Sequence, residues 1–114
     1  MTYEQIVEKV RNDYEYADAR AIYEHVAVQF NIVGEGAGIF YIEVAGRKVS
    51  VEPYDYYDKD ALVEIASDAL LALSAGTMDV QEATAQGKLK LYGNLQKLAM
   101  LQKIVFKKKV NWQK

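Results

Sequence analysis

The chain carries one histidine, His25, and no cysteine, which narrows its possible chemistry. A histidine metal cluster and a thiolate site are excluded, and a serine nucleophile has one possible base. Ser50, Ser67 and Ser74 lie in no nucleophile-elbow pattern, so His25 is expected at the start of a strand with no chemical role. Asp55, Asp58 and Asp60 offer oxygens to a hard cation, but the calcium-loop spacing and its glycine are missing, and a solvated loop is expected. Gly34, Gly36 and Gly38 have the composition of a phosphate loop. A nucleotide fingerprint must lead from strand into helix, whereas this segment leads into another strand and reads as a hairpin. Carboxylate pairs suit acid–base work, yet nothing singles one out. No catalytic residue, metal or cofactor is expected.

A second feature is physical. Between Gly87 and Phe106 a short alternating segment turns at Gly93 and enters a helix apolar around most of its circumference, with Leu95, Leu98, Ala99, Met100, Leu101, Ile104, Val105 and Phe106. Seating a surface helix takes an apolar arc of roughly 100°, and this run exceeds it. The surplus needs cover from the chain's own sheet, a second chain or a greasy ligand.

The elements that would position these residues follow from spacing. Thr2-Tyr3-Glu4-Gln5 has the form of a capping box, and Tyr3, Ile6, Val7, Val10 and Tyr14 fall at helical intervals. Asp18 to Glu24 is expected to add a helical turn. From Val26 the period becomes two, with Val26, Val28, Phe30 and Ile32 inward and Ala27, Gln29 and Asn31 outward. Phe40, Ile42 and Val44 line a returning strand, and a tight turn at Ala45-Gly46-Arg47 leads to Val49 and Val51. Pro53 ends regular pairing, since it lacks an amide hydrogen. After a tyrosine-rich connection, Ala61 to Ala66 reads as a fourth strand. Ser67 is expected to cap a helix closed by Gly76, Asp79 a short helix ended by Gly87, and Asn94 the terminal helix behind a strand from Lys88 to Tyr92. The fold class is α+β: a five-stranded, mostly antiparallel sheet with helices covering one face, in a single domain over 1–114. Outward tyrosines (Tyr41, Tyr54, Tyr92) beside Ile39 and Leu62 fit a dimer seam or plain strand propensity.

This order resembles the sterol carrier protein 2 family of lipid-transfer domains. The likeness rests on Ser67-Asp68-Ala69-Leu70-Leu71-Ala72-Leu73-Ser74-Ala75-Gly76, a short helix, Gln86-Gly87-Lys88-Leu89-Lys90-Leu91-Tyr92-Gly93-Asn94 and an apolar helix. It covers Ala61 to Lys103 specifically and Val26 to Val51 in element order. The resemblance implies an apolar tunnel between sheet and helices for fatty acids, acyl esters or other lipids. The expected walls are Phe30, Phe40, Ile42, Val51, Leu89 and Leu91 on the sheet, and Leu70, Leu73, Met78, Leu95, Leu98, Met100 and Leu101 on the helices. Lys97, Lys103, Lys107, Lys108 and Lys109 are candidates for a head group or an anionic membrane surface. The tyrosine-rich Tyr54-Asp55-Tyr56-Tyr57-Asp58 and the polybasic tail depart from the family pattern, so a fatty acyl ligand is a safer expectation than a sterol. The rival readings are a homodimeric structural module with a closed core and an accessory domain serving an enzyme.

Composition is that of an ordinary globular domain with enough apolar material for one core. Of 114 residues, 51% are hydrophobic and 26% charged. All sixteen acids precede Gly87, and eight lysines without an acid follow it. That asymmetry suits a lipid surface, an anionic ligand or a partner chain, or pairing of the two halves with each other. Lys107 to Lys109 beside Trp112 have the residue types that touch nucleic acid, but the acidic remainder argues against it. Nothing at the amino end reads as a signal peptide, and no apolar run approaches the roughly 20 residues of a bilayer span. A cytoplasmic location is expected.

Overall fold

The computed structural model describes residues 1–15 and 17–105. Phe106, Lys107, Lys108, Lys109 and Trp112 lie outside the described residues. Helix α1 (Tyr3–Glu15) opens on a reciprocal capping box: Gln5 N donates to Thr2 Oγ1 at 3.1 Å and Thr2 N to Gln5 Oε1 at 2.9 Å. Its apolar stripe buries Ile6, Val7 and Val10. Residues 18–24 form no helix. Asp18 instead pairs as an isolated bridge with Val105, through backbone bonds of 2.8 and 2.9 Å.

Strands β1 (Val26–Val33), β2 (Gly38–Ala45) and β3 (Lys48–Glu52) form an antiparallel meander. The β2–β3 turn places Gly46 (φ 57°) and Arg47 (φ 64°) at its centre, a two-residue hairpin whose left-handed backbone matches strand twist. The chain then crosses the sheet and lays β4 (Ala61–Ala66) parallel to β1, with Val28 opposite Ala61 and Ile32 opposite Ile65. β5 (Leu89–Gly93) pairs antiparallel with β4, giving the order β3-β2-β1-β4-β5.

Between β4 and β5 lie α2 (Ser67–Ser74) and α3 (Val80–Ala85). Asp79 caps α3 by accepting from Glu82 N at 2.8 Å. Ser67 does not cap α2; it is the first helical residue, and Ala66 holds the cap position without a side-chain bond. Asn94 caps the terminal helix by accepting from Lys97 N at 3.1 Å.

The terminal helix is shorter than its apolar run predicts. α4 covers Leu95–Met100, a 3₁₀ turn covers Leu101–Lys103, and Ile104 is extended. A continuous α-helix would carry Ile104 roughly 120° around the axis from Leu98. In a 3₁₀ turn, residues three apart eclipse, so Leu98, Leu101 and Ile104 come to one side. The backbone bridge from Val105 to Asp18 then takes over the chain's hydrogen bonding.

Helices cover the inward face, where Val26, Val28, Phe30, Phe40, Ile42, Val63 and Ile65 form the core. The opposite face is not simply solvated. The connection 53–60 runs across it: Tyr56 N donates to Gln29 Oε1 at 3.2 Å, and the Tyr56 and Tyr41 rings meet edge to face at 4.9 Å. Outward-pointing Ala27 and Gln29 are therefore buried.

Candidate functional site, an apolar cavity under the helices

A cavity of about 260 Å³ lies between the sheet and the helical layer. Its floor is Phe30 on β1, Ile42 on β2, Val63 on β4 and Leu89 on β5. Alternating strand geometry puts all four on one face. The roof comes from Leu70, Leu73 and Ser74 on α2, from Gly76, Met78, Asp79 and Val80 at the start of α3, and from Leu98, Leu101 and Ile104. Tyr14, near the end of α1, completes it.

Of the expected wall residues, Phe30, Ile42, Leu70, Leu73, Met78, Leu89, Leu98 and Leu101 are brought together here. Five are placed elsewhere. Phe40 is fully buried behind Phe30, the rings stacked with centroids 5.0 Å apart. Val51 is buried on β3, where the Arg11 guanidinium of α1 donates to its carbonyl at 3.1 Å. Leu91 and Met100 are half-buried against the core without lining the cavity, and Leu95 is 55% exposed. Met100 falls between the inward positions Leu98, Leu101 and Ile104, and Leu95 opens the first turn of α4.

The cavity also recruits Tyr14, Val63, Ser74, Gly76, Asp79, Val80 and Ile104. Tyr14, Val63 and Ile104 were legible as inward or apolar. Gly76 and Asp79 read from sequence only as helix punctuation and Ser74 only as a serine outside any nucleophile pattern, and their closeness to α1 and the terminal segment is a tertiary fact. Burial, with the Asp13 carboxylate adding to it, raises the Tyr14 phenol well above its ordinary value, so it stays protonated.

Neither described lysine candidate lines the cavity. Lys97 Nζ donates to the His25 carbonyl at 2.7 Å and lies 3.9 Å from Glu24. Lys103 lines a separate, open surface cleft with Arg20, Tyr23 and Arg47, where the Arg47 guanidinium sits 5.3 Å over the Tyr23 ring. Lys107, Lys108 and Lys109 fall outside the described residues. Among the described residues no group of three His, Asp or Glu is placed to hold a metal, and no helix is long and apolar enough to cross a membrane.

The profile of the SCP-2 sterol transfer family matches residues 4–106. The chain belongs to this sterol carrier protein 2 family. The family fold recurs in sterol carrier protein 2 like 2 from Aedes aegypti, at 24% identity and a TM-score of 0.62, over 88% of this chain and 93% of that one. It recurs in the Aedes aegypti sterol carrier protein-2 complex with the C16 fatty acid palmitate, at 23% identity and a TM-score of 0.57, over 90% and 93%. The Pseudomonas sec-alkylsulfatase Pisa1 contains a similar unit: 14% identity, a TM-score of 0.65, 95% of this chain but 15% of that one. The chain thus spans about 15% of the sulfatase. At these identities the likeness is one of fold. No curated protein matches the chain.

Proposed function

We propose that this member of the sterol carrier protein 2 family encloses one alkyl or acyl chain of a lipid in the cavity beneath α2 and the terminal segment, as a non-enzymatic, cytoplasmic carrier. The observation that carries the reading is the cavity itself, about 260 Å³ and walled mainly by aliphatic side chains and Phe30. An apolar cavity of ~150 Å³ already takes a benzene-sized guest. Each buried methylene contributes about 0.8 kcal/mol, so a chain filling this space binds without elaborate polar recognition. The palmitate complex of the Aedes protein supports this choice of ligand class. Delivery at anionic membranes would draw on Lys103 and the tail lysines, at about 1 kcal/mol each.

A second reading has one supporting observation: Pisa1 contains this fold as a small part of a large enzyme. On that reading the chain serves a catalytic partner as an accessory domain.

The test is native mass spectrometry of freshly purified protein alongside Met78→Trp. Met78 is half-buried on the cavity wall, and an indole there fills the space without opening a void. The wild type should carry a co-purifying or added alkyl lipid, and Met78→Trp should lose at least about tenfold in occupancy with unchanged or raised Tm. A wild type that never takes up lipid removes the carrier reading.

A further inference from the structure

A cleft of about 430 Å³ opens where the Asp18–Val105 bridge meets the β2–β3 hairpin, and it gathers Arg20, Tyr23, Arg47 and Lys103 from three remote segments. Two of its cations are held in place. The Asp18 carboxylate accepts from Arg20 Nε at 3.0 Å and from Nη2 at 2.7 Å. That pairing uses one edge of the guanidinium and leaves the other edge to donate elsewhere. Arg47 stands at a left-handed position (φ 64°), and its guanidinium lies 5.3 Å over the Tyr23 ring, a contact that fixes its plane. Among the described residues neither Arg47 nor Lys103 forms an ion pair. Arg20, Arg47 and Lys103 against Asp18 leave a net formal charge of +2 among the described lining residues.

We infer that this surface cleft binds the phosphate group of a monoester, at a place separate from the apolar cavity and independent of what the cavity holds. Arginine and lysine only donate, so the group they suit is one whose oxygens accept. A phosphate monoester, with a second pKa of about 6, is close to doubly charged at neutral pH, which matches the charge of the cleft. Arginine edges take phosphate oxygens two at a time, while lysine adds a point charge. A carboxylate brings one charge and two oxygens, and leaves part of this donor set unmatched. The cleft is also roomier than a bare phosphate needs. Tyr23, 82% exposed, and Val105, 61% exposed, offer apolar surface to the ester's organic substituent. The recognised chemistry is the same for a small soluble ester and for the phosphate head of a membrane phosphatidate.

The soluble probe is phenyl phosphate, titrated by calorimetry into the intact chain at neutral pH and low salt. The membrane probe is a phosphatidylcholine vesicle with or without phosphatidate, read by co-sedimentation. The wild type should bind phenyl phosphate with a dissociation constant below about 1 mM. Arg47→Asn keeps a residue that tolerates the left-handed backbone and should weaken binding about tenfold. Lys103→Gln should weaken it about threefold. Lys59 is exposed and lies outside the cleft; Lys59→Gln removes one positive charge and should leave binding unchanged. Phenyl phosphate binding with this pattern supports the site with a soluble ester as its source. Binding of phosphatidate vesicles alone, lost in Arg47→Asn, supports the same site with a lipid head as its source. Failure of both probes overturns the site. So does binding that Lys59→Gln weakens as much as Arg47→Asn, since net charge alone then accounts for it. Either failure leaves the alkyl cavity and its own test untouched.

Discussion

His25, Glu43 and Tyr56 tie the crossover to the back of the sheet through a single carboxylate oxygen. His25 Nε2 lies 2.6 Å from Glu43 Oε2, and the Tyr56 hydroxyl donates to the same oxygen at 2.9 Å. The imidazole hydrogen bond first, then the phenol, hold the Glu43 carboxyl below its ordinary value near 4.5, partly opposed by desolvation. A depressed folded-state value stabilises the fold above the unfolded value, and the gain is lost as pH falls through the folded one. Urea midpoints from neutral pH downward should thus show an acid-side loss beginning below about 4.5, with Glu43→Gln flattening that limb. Tyr56→Phe should cost about 1 kcal/mol at neutral pH, one hydrogen bond. Sequence placed His25 at the mouth of the first strand but not in this cluster. Its partners lie eighteen and thirty-one residues away, and nothing local announces such a meeting. Gln29 has the outward phase on β1 that its spacing predicts, and the cover that buries it comes from a loop remote in sequence.

Element boundaries were legible where the deciding atoms are local. Thr2 with Gln5, Asp79 and Asn94 each cap the helix their spacing predicted, because a cap depends on residues two or three positions away. The length of α4 was not legible, because the Asp18 backbone that bridges to Val105 is remote in sequence. Gly93, which ends β5, shows how closely that end is packed. Its φ is +99°, and a Cβ built there would stand 2.8 Å from the Asp60 carbonyl oxygen. That oxygen already accepts from Asn94 N at 2.9 Å, while Asp60 Oδ2 accepts from Ala27 N at 2.8 Å. Asp60, which sequence offered only as a solvated acid, therefore joins β1, β4 and the start of α4. Gly93→Ala should lower unfolding free energy by about 1–3 kcal/mol through the left-handed backbone alone, with more from the clash. Chemical denaturation against the wild type checks this.

Across the whole molecule, the opposed charges of the two ends are partly reconciled inside the fold. Lys88 meets Asp68 at 2.6 Å, and Lys97 lies near Glu24. Such exposed pairs are weak and screened, so raising salt from low to near-molar should move Tm by no more than about 3 °C. A larger fall in a thermal scan would show that the charge division holds the chain together. The layered α+β plan was legible from the switch between periods of two and 3.6, and the cavity floor with it. Which strand lies beside β1 was not, since period two is blind to partner order. That partner order governs how the chain can be made. The β1–β2–β3 meander needs nothing beyond Glu52, yet Val28 waits for Ala61 on its other side. During synthesis, the innermost strand therefore passes through an interval as a bare margin, open to mispairing with any passing extended segment. The crossover that later delivers β4 acts as a timer, and a longer loop at 53–60 would prolong that vulnerable interval as well as disturb the Tyr56 contacts to Gln29 and Glu43.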